Sequence, residues 1–254
     1  MVNIKTTDRD LRLLLDLYRH SFLSFYQIAL MHFDKCAGPT VYNRLSKLIK
    51  GDLIESMRVN LRVIHMSNKD IGVVYCITKK GLNLIKKYHH GGILRDAPIP
   101  INLNQLGHDL LLTDVIKVMQ KKFIDAKVID SKLLKLNYNY ESQVPDAVVF
   151  MQNKKLAIEV ELTAKSNMRY REIISNYSTS SDFDGVLYLV KDVAIKNKIG
   201  GLITGYPNHY KDSDDTGKFS FCIINKFFED DEIDFISNLF NYQQQPTRSL
   251  SHEL

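Results

Sequence analysis

The stretch PDAVVFMQNKKLAIEVELTAK, residues 145–165, constrains the fold most, because it holds two apolar runs of strand length on either side of a short polar turn. Alternate side chains of a strand point to opposite faces. The second run therefore places Glu159 and Glu161 on one face, and Lys165 follows on that face if the strand continues straight. Asp146 begins the first run, and a turn of this length brings the two runs into register. We expect three carboxylates and a lysine to converge.

This stretch admits two interpretations. In the first, the acidic residues line the solvent-exposed side of an ordinary hairpin. In the second, they form the metal centre of a nuclease, because Mg²⁺ and Mn²⁺ take carboxylate and water oxygens as ligands. A bound divalent ion lowers the pKa of water and neutralises charge on the phosphate that is cleaved.

The residues from 106 onward alternate between helical and strand patterns, which predicts a mixed α/β domain. The helical run LGHDLLLTDVIKVMQKKF precedes strand-like AKVID, LLKLNY, PDAVVFM and KLAIEVEL, a helix NMRYREIISNY and a buried strand GVLYLV. The predicted order is α-β-β-β-α-β with one extra strand. A helix over 194–203, a strand KFSFCII and a helix DEIDFISNLF complete the domain. The tyrosines and isoleucines of NMRYREIISNY share one stripe, which predicts a core-facing side.

The first 90 residues predict three helices followed by a hairpin. Capping residues at positions 6–8 open the first helix, the second follows Ser24, and the third spans 39–50 and ends at Gly51. The extended runs DLIESMRVNLRVIHM and GVVYCIT then flank a polar turn. This is the order of a winged helix-turn-helix domain. The next letters, TKKG, resemble the Thr-x-x-Gly sequence through which the last strand of such domains enters a closing helix.

Charge is distributed unevenly along the chain, which carries a net charge of +5. Residues 1–95 contain 16 Lys and Arg against 7 Asp and Glu, whereas the remainder contains 18 against 22. A basic small domain is typical of proteins that bind a phosphate backbone. Double-stranded DNA is therefore the expected partner.

The third helix is the expected recognition helix, and the two extended runs form the expected wing. The residues expected to meet DNA are polar side chains on that helix, on or near the wing, and after the acidic hairpin: Thr40, Tyr42, Asn43, Arg44, Lys47, Lys50, Arg58, Arg62, Lys69 and Arg169. The alternative is a winged helix that serves protein contacts or dimerisation, with these residues as an ordinary solvated surface.

Residues 91–105 contain paired glycines and two prolines without periodicity, which predicts a linker. The expected divisions are a winged-helix domain over 1–90, the linker, an α/β domain over 106–242 and a polar tail over 243–254. No apolar run approaches the roughly 20 residues that cross a bilayer, and the first residues lack a secretory signal, so we expect a cytoplasmic protein without a membrane segment. Three cysteines without CxxC spacing argue against a zinc site and against disulfides.

The acidic hairpin resembles the PD-(D/E)xK nuclease superfamily, with PD in its first strand and EVE in its second. The resemblance implies a restriction-endonuclease-like α/β fold in which Asp146, Glu159 and Glu161 hold Mg²⁺ or Mn²⁺. Glu161 occupies the position that usually holds a lysine. Lys165 is therefore implied as the residue that helps to activate the attacking water.

The superfamily often takes one further acidic ligand from the first core helix. Asp109 is the implied ligand here and Asp114 the alternative, since their spacing makes it awkward for both to face one site. His108 lies beside them. Two roles remain open for His108, acid–base catalysis near neutral pH or a polar anchor at the helix start.

The winged helix, the helix beginning LGHDLLLTDV and the runs PDAVVF and AIEVELTAKSNMRYREIISNY together resemble the replication-relaxation family over about residues 7–190. This family includes the C-class mobilisation relaxases of plasmids and integrative elements. The resemblance implies a DNA-binding protein of a mobile element that nicks one strand at a specific origin. Other mobilisation or replication proteins are then implied as partners.

Three functions remain open at the level of sequence. The first is the metal-dependent nickase, and the second is a non-catalytic DNA-binding initiator, regulator or accessory factor with a degenerate nuclease fold. The third is a restriction-type nuclease, which would use the same site but make double-strand cuts and would generally need two active sites. The sequence leaves the oligomeric state open, a dimer included.

Overall fold

The computed structural model describes residues 4–33, 38–62, 70–88, 94–137, 143–204 and 217–229. The chain divides into two compact units, which take residues 1–117 with 132–137, and residues 118–131 with 138–254. Within the described ranges, no helix has the length and apolar character needed to span a membrane.

The first unit is built from helices and a three-stranded antiparallel sheet, in the order α1 (Asp8–His20), β1 (Leu23–Ser24), α2 (Phe25–His32), α3 (Gly38–Lys50), β2 (Ile54–Arg62), β3 (Asp70–Ile77) and α4 (Lys79–Tyr88). Its strands lie in the order β1-β3-β2. This is the winged helix-turn-helix topology that the sequence predicts. The two-residue strand β1 was not predicted, and Asp70 begins β3 rather than ending the turn before it.

Capping explains where the first two helices begin. Thr7 and Asp10 form a capping box at the start of α1, and Ser24 and Gln27 form a second one at the start of α2. Each box satisfies backbone N–H groups that the first helical turn leaves without a partner. The predicted starts of both helices are therefore confirmed.

The Thr-x-x-Gly sequence joins β3 to α4 by side-chain bonding. The Thr78 hydroxyl accepts from the backbone N–H of Gly81 at 3.1 Å and donates to the backbone carbonyl of Asp52 at 2.7 Å. A Cβ at Gly81 would overlap the carbonyl oxygen of Leu53. Position 81 therefore requires glycine for close packing of α4 on the chain that follows α3.

The remaining elements are α5 (Leu106–Lys122), β4 (Lys127–Asp130), α6 (Ser131–Asn137), β5 (Ala147–Met151), β6 (Lys154–Glu161), α7 (Asn167–Thr179), β7 (Gly185–Val190), α8 (Val193–Thr204), β8 (Phe219–Ile223) and α9 (Ile224–Glu229). The second unit contains a five-stranded sheet in the order β4-β5-β6-β7-β8. Strands β4, β5 and β6 pair antiparallel, and β6, β7 and β8 pair parallel. The mixed α/β class is thus confirmed.

The run LLKLNY was predicted as a strand, and this prediction is wrong, because its described residues belong to helix α6. Leucine, lysine and asparagine lack the β-branched or aromatic side chains that favour strands, and leucine and lysine favour helices. In α6, Leu134 is fully buried. Helix α9 was not predicted.

Several predicted features lie outside the described residues: the tip of the wing at 67–69, the helix over 231–240, the tail over 243–254 and Cys36. Within the described part of the predicted linker, Leu94 and Ile99 pack against the core of the first unit. Cys76 and Cys222 are buried, as expected of packing residues.

Candidate functional site

Strand β6 carries two glutamates through the middle of the second sheet. It pairs with β5 on one side and with β7 on the other. Glu159 and Glu161 are only 4% and 2% exposed. The interpretation of these residues as the solvent-exposed side of a hairpin is therefore wrong, because both faces of the strand are covered.

Asp146 directly precedes β5 and comes level with Glu159. Ala147 pairs with Ile158 in the antiparallel register, so the next positions outward are Asp146 and Glu159. The Asp146 carboxylate accepts the backbone N–H of Val160 at 2.8 Å. The register thus places Asp146 beside Glu159, as the sequence predicts.

Two tyrosines of α7 reach these glutamates with their hydroxyl groups. Tyr177 donates to Glu159 Oε1, and Tyr170 donates to Glu161 Oε2 at 3.4 Å. Gln143 adds a bond from its Nε2 to Glu159 Oε1 at 3.2 Å. The predicted core stripe of α7 is confirmed, since its four members are buried, but two of its rings also supply hydrogen bonds.

Lys165 forms an ion pair with Glu161, four residues earlier. Its own backbone is held on both sides: its N–H donates to the Tyr170 hydroxyl oxygen at 3.1 Å, and its carbonyl accepts from Lys198 Nζ at 2.7 Å. The side chain of Lys165 is 38% exposed. The predicted substitute lysine therefore lies next to Glu161 at a partly solvent-accessible position.

Burial and like charge make this cluster costly to ionise. Burial, and next the charge of Asp146, raise the pKa of Glu159 to about 8 against the hydrogen bonds from Tyr177 and Gln143. Burial also raises the pKa of Glu161, although Lys165 opposes this effect. Carboxyl groups with raised pKa values at the edge of a buried site are typical of functional centres, though structural networks produce them as well.

The donor types of this cluster fit a hard divalent cation, since they are carboxylates with one lysine beside them. Their present bonds go to protein partners instead: Asp146 to a backbone N–H, Glu159 to Tyr177 and Glu161 to Lys165. Across the residues that the structure describes, no three Asp, Glu, His or Cys side chains are arranged to hold a metal ion together. The cluster thus fits a cation in chemistry, with Asp146 and Glu159 as the adjacent pair.

The acidic candidates of α5 belong to the first unit. Asp109 forms an ion pair with Lys132 at 2.8 Å and lies 3.4 Å from His108 Nδ1. Asp114 is buried and accepts from Gln27 Nε2 at 2.9 Å. Both carboxylates therefore have partners within that unit, and their roles as metal ligands, like that of His108 in acid–base catalysis, stay predictions.

Helix α3 has a buried side and an outer side. Val41, Leu45 and Leu48 are buried in the core of the first unit. The exposed polar side chains are Thr40, Tyr42, Asn43, Lys47 and Lys50. Apolar spacing in the sequence is responsible for this division, because it allows only one side of the helix to pack.

The remaining predicted DNA-binding residues have different surroundings. Arg44 is bound to the buried carboxylate of Asp10 rather than pointing freely to solvent. Arg58 is exposed on β2, and Arg169 is exposed and pairs with Glu172 at 2.6 Å. The side chain of Arg62 and all of Lys69 lie outside the described residues.

Sequence patterns did not identify Tyr170, Tyr177, Gln143 and Lys198 as parts of the site. The two tyrosines are seven residues apart on the helix that follows the acidic strand, and this spacing was a signal that polar groups share its buried side. Nothing in the sequence near Lys198 indicates its bond to a backbone carbonyl 33 residues earlier.

Comparison with known proteins assigns no family to the chain. No protein-family model matches it, and no curated protein does. Among solved structures, it is similar to Bacillus subtilis PadR, whose crystal structure is of a complex with operator DNA. That match has 18% sequence identity and a TM-score of 0.25, and it covers 54% of this chain and 83% of PadR. A TM-score this low carries no argument about the fold. The winged-helix topology therefore follows from the element order and strand pairing described above.

Proposed function

We propose that the first unit binds double-stranded DNA with α3 in the major groove. The observation that carries this proposal is the division of α3 into a packed apolar side and an exposed polar side. Base edges are recognised by hydrogen bonds and phosphates by positive charge, so a recognition helix needs such an outer surface. The excess of basic residues in this part of the chain supports the same conclusion.

Each exposed side chain of α3 has a proposed task. Asn43 has the paired donor and acceptor that match an adenine edge, and Lys47 and Lys50 bind phosphates or guanine. Thr40 and Tyr42 flank this surface near the start of the helix. Arg58 on the wing contacts the DNA phosphate backbone beside the major groove. The resemblance to replication-relaxation proteins adds the proposal that the target is an origin or operator of a mobile element.

Selection from a library of randomised duplexes tests sequence-specific binding when the target site is unidentified. The full chain is mixed with the library, and the bound fraction is amplified and sequenced over several rounds. Enrichment of one motif is expected, with half-sites about one helical turn apart if the protein binds as a dimer. A bound fraction that stays random in sequence contradicts specific recognition.

A second candidate function is divalent-metal-dependent cleavage of a DNA strand in the second unit. The specific observation in its favour is the pair of buried glutamates, Glu159 and Glu161, with Asp146 level with Glu159 and the partly exposed Lys165 beside Glu161. A folded core gains nothing from like charges at its centre, so such a group is more readily explained by a ligand that neutralises it.

In this candidate function, Asp146 and Glu159 would hold Mg²⁺ or Mn²⁺, which supplies an activated water and stabilises charge on the phosphate. Tyr177 and Gln143 orient the Glu159 carboxylate through their hydrogen bonds. Glu161 holds Lys165 in place by their ion pair, and Tyr170 and Lys198 fix the backbone that carries Lys165. Lys165 orients the attacking water or binds the phosphate.

Cleavage is tested with supercoiled plasmid that carries the selected DNA motif, incubated with the full chain and Mg²⁺ or Mn²⁺. Open-circular product that is lost in Asp146→Ala supports a nickase, and linear product supports a restriction-type nuclease. Intact plasmid under conditions in which the protein binds the motif contradicts both and leaves a DNA-binding initiator, regulator or accessory factor.

A further inference from the structure

Arg44 lies in the middle of α3, at a position that sequence alone assigns to DNA contact, yet its guanidinium is bound to α1. Its Nε donates to Asp10 Oδ1 at 2.9 Å, and its Nη2 donates to Asp10 Oδ2 at 2.5 Å. The same Nη2 donates to the backbone carbonyl of Lys5 at 3.0 Å. This two-pronged arrangement fixes both the distance and the orientation between the two side chains.

The carboxylate of Asp10 is held by Thr7 as well as by Arg44. Its Oδ2 also accepts from the backbone N–H and from the hydroxyl of Thr7, both at 2.7 Å. Asp10 is 0% exposed, and the side chain of Arg44 is 16% exposed. One buried carboxylate therefore joins the capping box of α1 to the middle of α3. Withdrawal of Arg44 toward DNA would leave that carboxylate buried without its counter-charge, which is strongly unfavourable.

We propose that Arg44 is a positioning residue, which fixes the orientation of α3 on α1 so that its sequence neighbour Asn43 and the following Lys47 face the DNA. This inference rests on the proposed DNA binding. It removes Arg44 from the set of contact residues and adds Asp10, which is acidic and buried, to the residues on which DNA recognition depends.

Positioning and direct contact predict opposite effects for a change at Asp10. If Arg44 positions α3, loss of Asp10 or of Arg44 breaks the same link, so Asp10→Asn and Arg44→Met weaken DNA binding by similar factors. If Arg44 contacts phosphate, Asp10→Asn frees a positive charge and leaves binding unchanged or tighter. An arginine already paired with a carboxylate also displaces few counterions, whereas a phosphate-binding lysine displaces about one.

The experiment measures affinity of the full chain for a fluorescein-labelled duplex of about 30 base pairs, roughly three helical turns, by anisotropy over a series of salt concentrations. The duplex has mixed sequence, and the selected motif replaces it once known. The variants are Asp10→Asn, Arg44→Met, the double variant, and Lys47→Met as the matched control on the same helix. Circular dichroism and urea unfolding confirm that each variant is folded. If Arg44→Met does not fold, Arg44→Lys replaces it and is compared with Asp10→Asn.

We expect about a tenfold loss of affinity in each single variant at Asp10 or Arg44, little further loss in the double variant because the two residues act as one unit, and an unchanged salt slope. Lys47→Met is expected to lower the magnitude of the slope by about one. Tighter or unchanged binding by Asp10→Asn overturns the positioning role, as does a slope change in Arg44→Met equal to that of Lys47→Met. Absence of any duplex binding by the unaltered chain overturns the proposed function itself, and so the two failures are distinguished.

Discussion

Asp146 and Glu159 lie level with each other across the β5–β6 hairpin, and burial together with the charge of Asp146 raises the pKa of Glu159 to about 8. The two side chains are held by different groups, Asp146 by a backbone N–H and Glu159 by Tyr177 and Gln143. Burial of Glu159 on the central strand β6 makes its carboxyl group costly to ionise, and the nearby charge of Asp146 adds to that cost. The proposed binding of a divalent cation by the pair would offset this cost.

Replacement of Glu159 by glutamine is expected to change stability in a pH-dependent way. The folded pKa lies above the ordinary value of 4.5, so the folded protein retains a proton that the unfolded chain releases. The free energy of unfolding of the unaltered protein therefore falls as the pH rises from about 4.5 to about 8, by a few kcal/mol. Glu159→Gln removes this contribution. Urea unfolding at pH 6 and pH 8 measures it as a difference between variant and unaltered chain.

The same variant tests whether the cluster binds a cation. A ligand that binds only the folded state raises the thermal unfolding midpoint, so Mn²⁺ is expected to raise the midpoint of the unaltered chain and not that of Glu159→Gln. Glu172→Gln is the matched control, since Glu172 is an exposed glutamate paired with Arg169 on α7. Equal responses of all three proteins to Mn²⁺ argue against binding at Asp146 and Glu159.

Tyr177→Phe and Tyr188→Phe are expected to have opposite effects, although both rings are buried. The Tyr177 hydroxyl donates to Glu159, so its loss leaves a buried acceptor and lowers the free energy of unfolding by about 1–3 kcal/mol. The buried Tyr188 hydroxyl has no hydrogen-bond partner within the described ranges, so its loss is expected to be neutral or stabilising. Urea unfolding measures both changes. An equal decrease in the free energy of unfolding of the two variants would contradict the hydrogen bond assigned to Tyr177 and Glu159.

Acid is expected to destabilise the first unit through His20. Burial, and the positive charges of Lys117, Lys132 and Arg19 against the opposing charge of Asp16, lower the pKa of His20 to about 3. The unfolded chain then binds a proton below about pH 6.5 that the folded chain does not, so stability falls as the pH falls from there toward 3. Between pH 6.5 and about 5 the loss is about 2 kcal/mol. His20→Gln is expected to remove this part of the acid sensitivity, and an unchanged pH profile contradicts it.

Two glycines in helices are expected to respond differently to alanine. At Gly81 a Cβ meets the carbonyl oxygen of Leu53, whereas at Gly200 in α8 it meets nothing within 4 Å. Gly81→Ala should lower the free energy of unfolding by about 1–3 kcal/mol through overpacking. Gly200→Ala should raise it by up to about 1 kcal/mol through helix propensity. Thermal unfolding of both variants checks the pair, and tolerance of Gly81→Ala would contradict the close packing of α4.

The sequence predicted correctly those helices and strands in which the apolar periodicity agrees with the capping or turn residues at the ends of the element. Capping residues and apolar stripes gave the helices of the first unit, and the alternation around Glu159 and Glu161 gave β6. The prediction of LLKLNY as a strand was wrong because a short leucine-rich segment satisfies helix and strand patterns alike. In that case residue propensity was the better guide.

The acidic residues of the candidate site could be predicted from the sequence. The groups that bind these residues could not. The period of a strand places Glu159 and Glu161 on one face, but the partner of each depends on packing between elements. The same limit applies to Arg44, whose partner lies 34 residues earlier in the chain. Charge and helix position suggested DNA contact for Arg44, and only the packed structure pairs it with Asp10.

Duplex binding by the full chain and by Lys47→Ala, followed by anisotropy at low salt and on salt addition, tests whether α3 contacts DNA. We expect the unaltered chain to bind in the micromolar range or tighter and to lose affinity steeply as salt is added. Lys47→Ala is expected to bind more weakly. Lys196→Ala, which changes an exposed lysine on α8, should bind as the unaltered chain does. If no duplex binds at low salt, or if Lys47→Ala and Lys196→Ala bind equally, α3 is not a DNA-recognition helix.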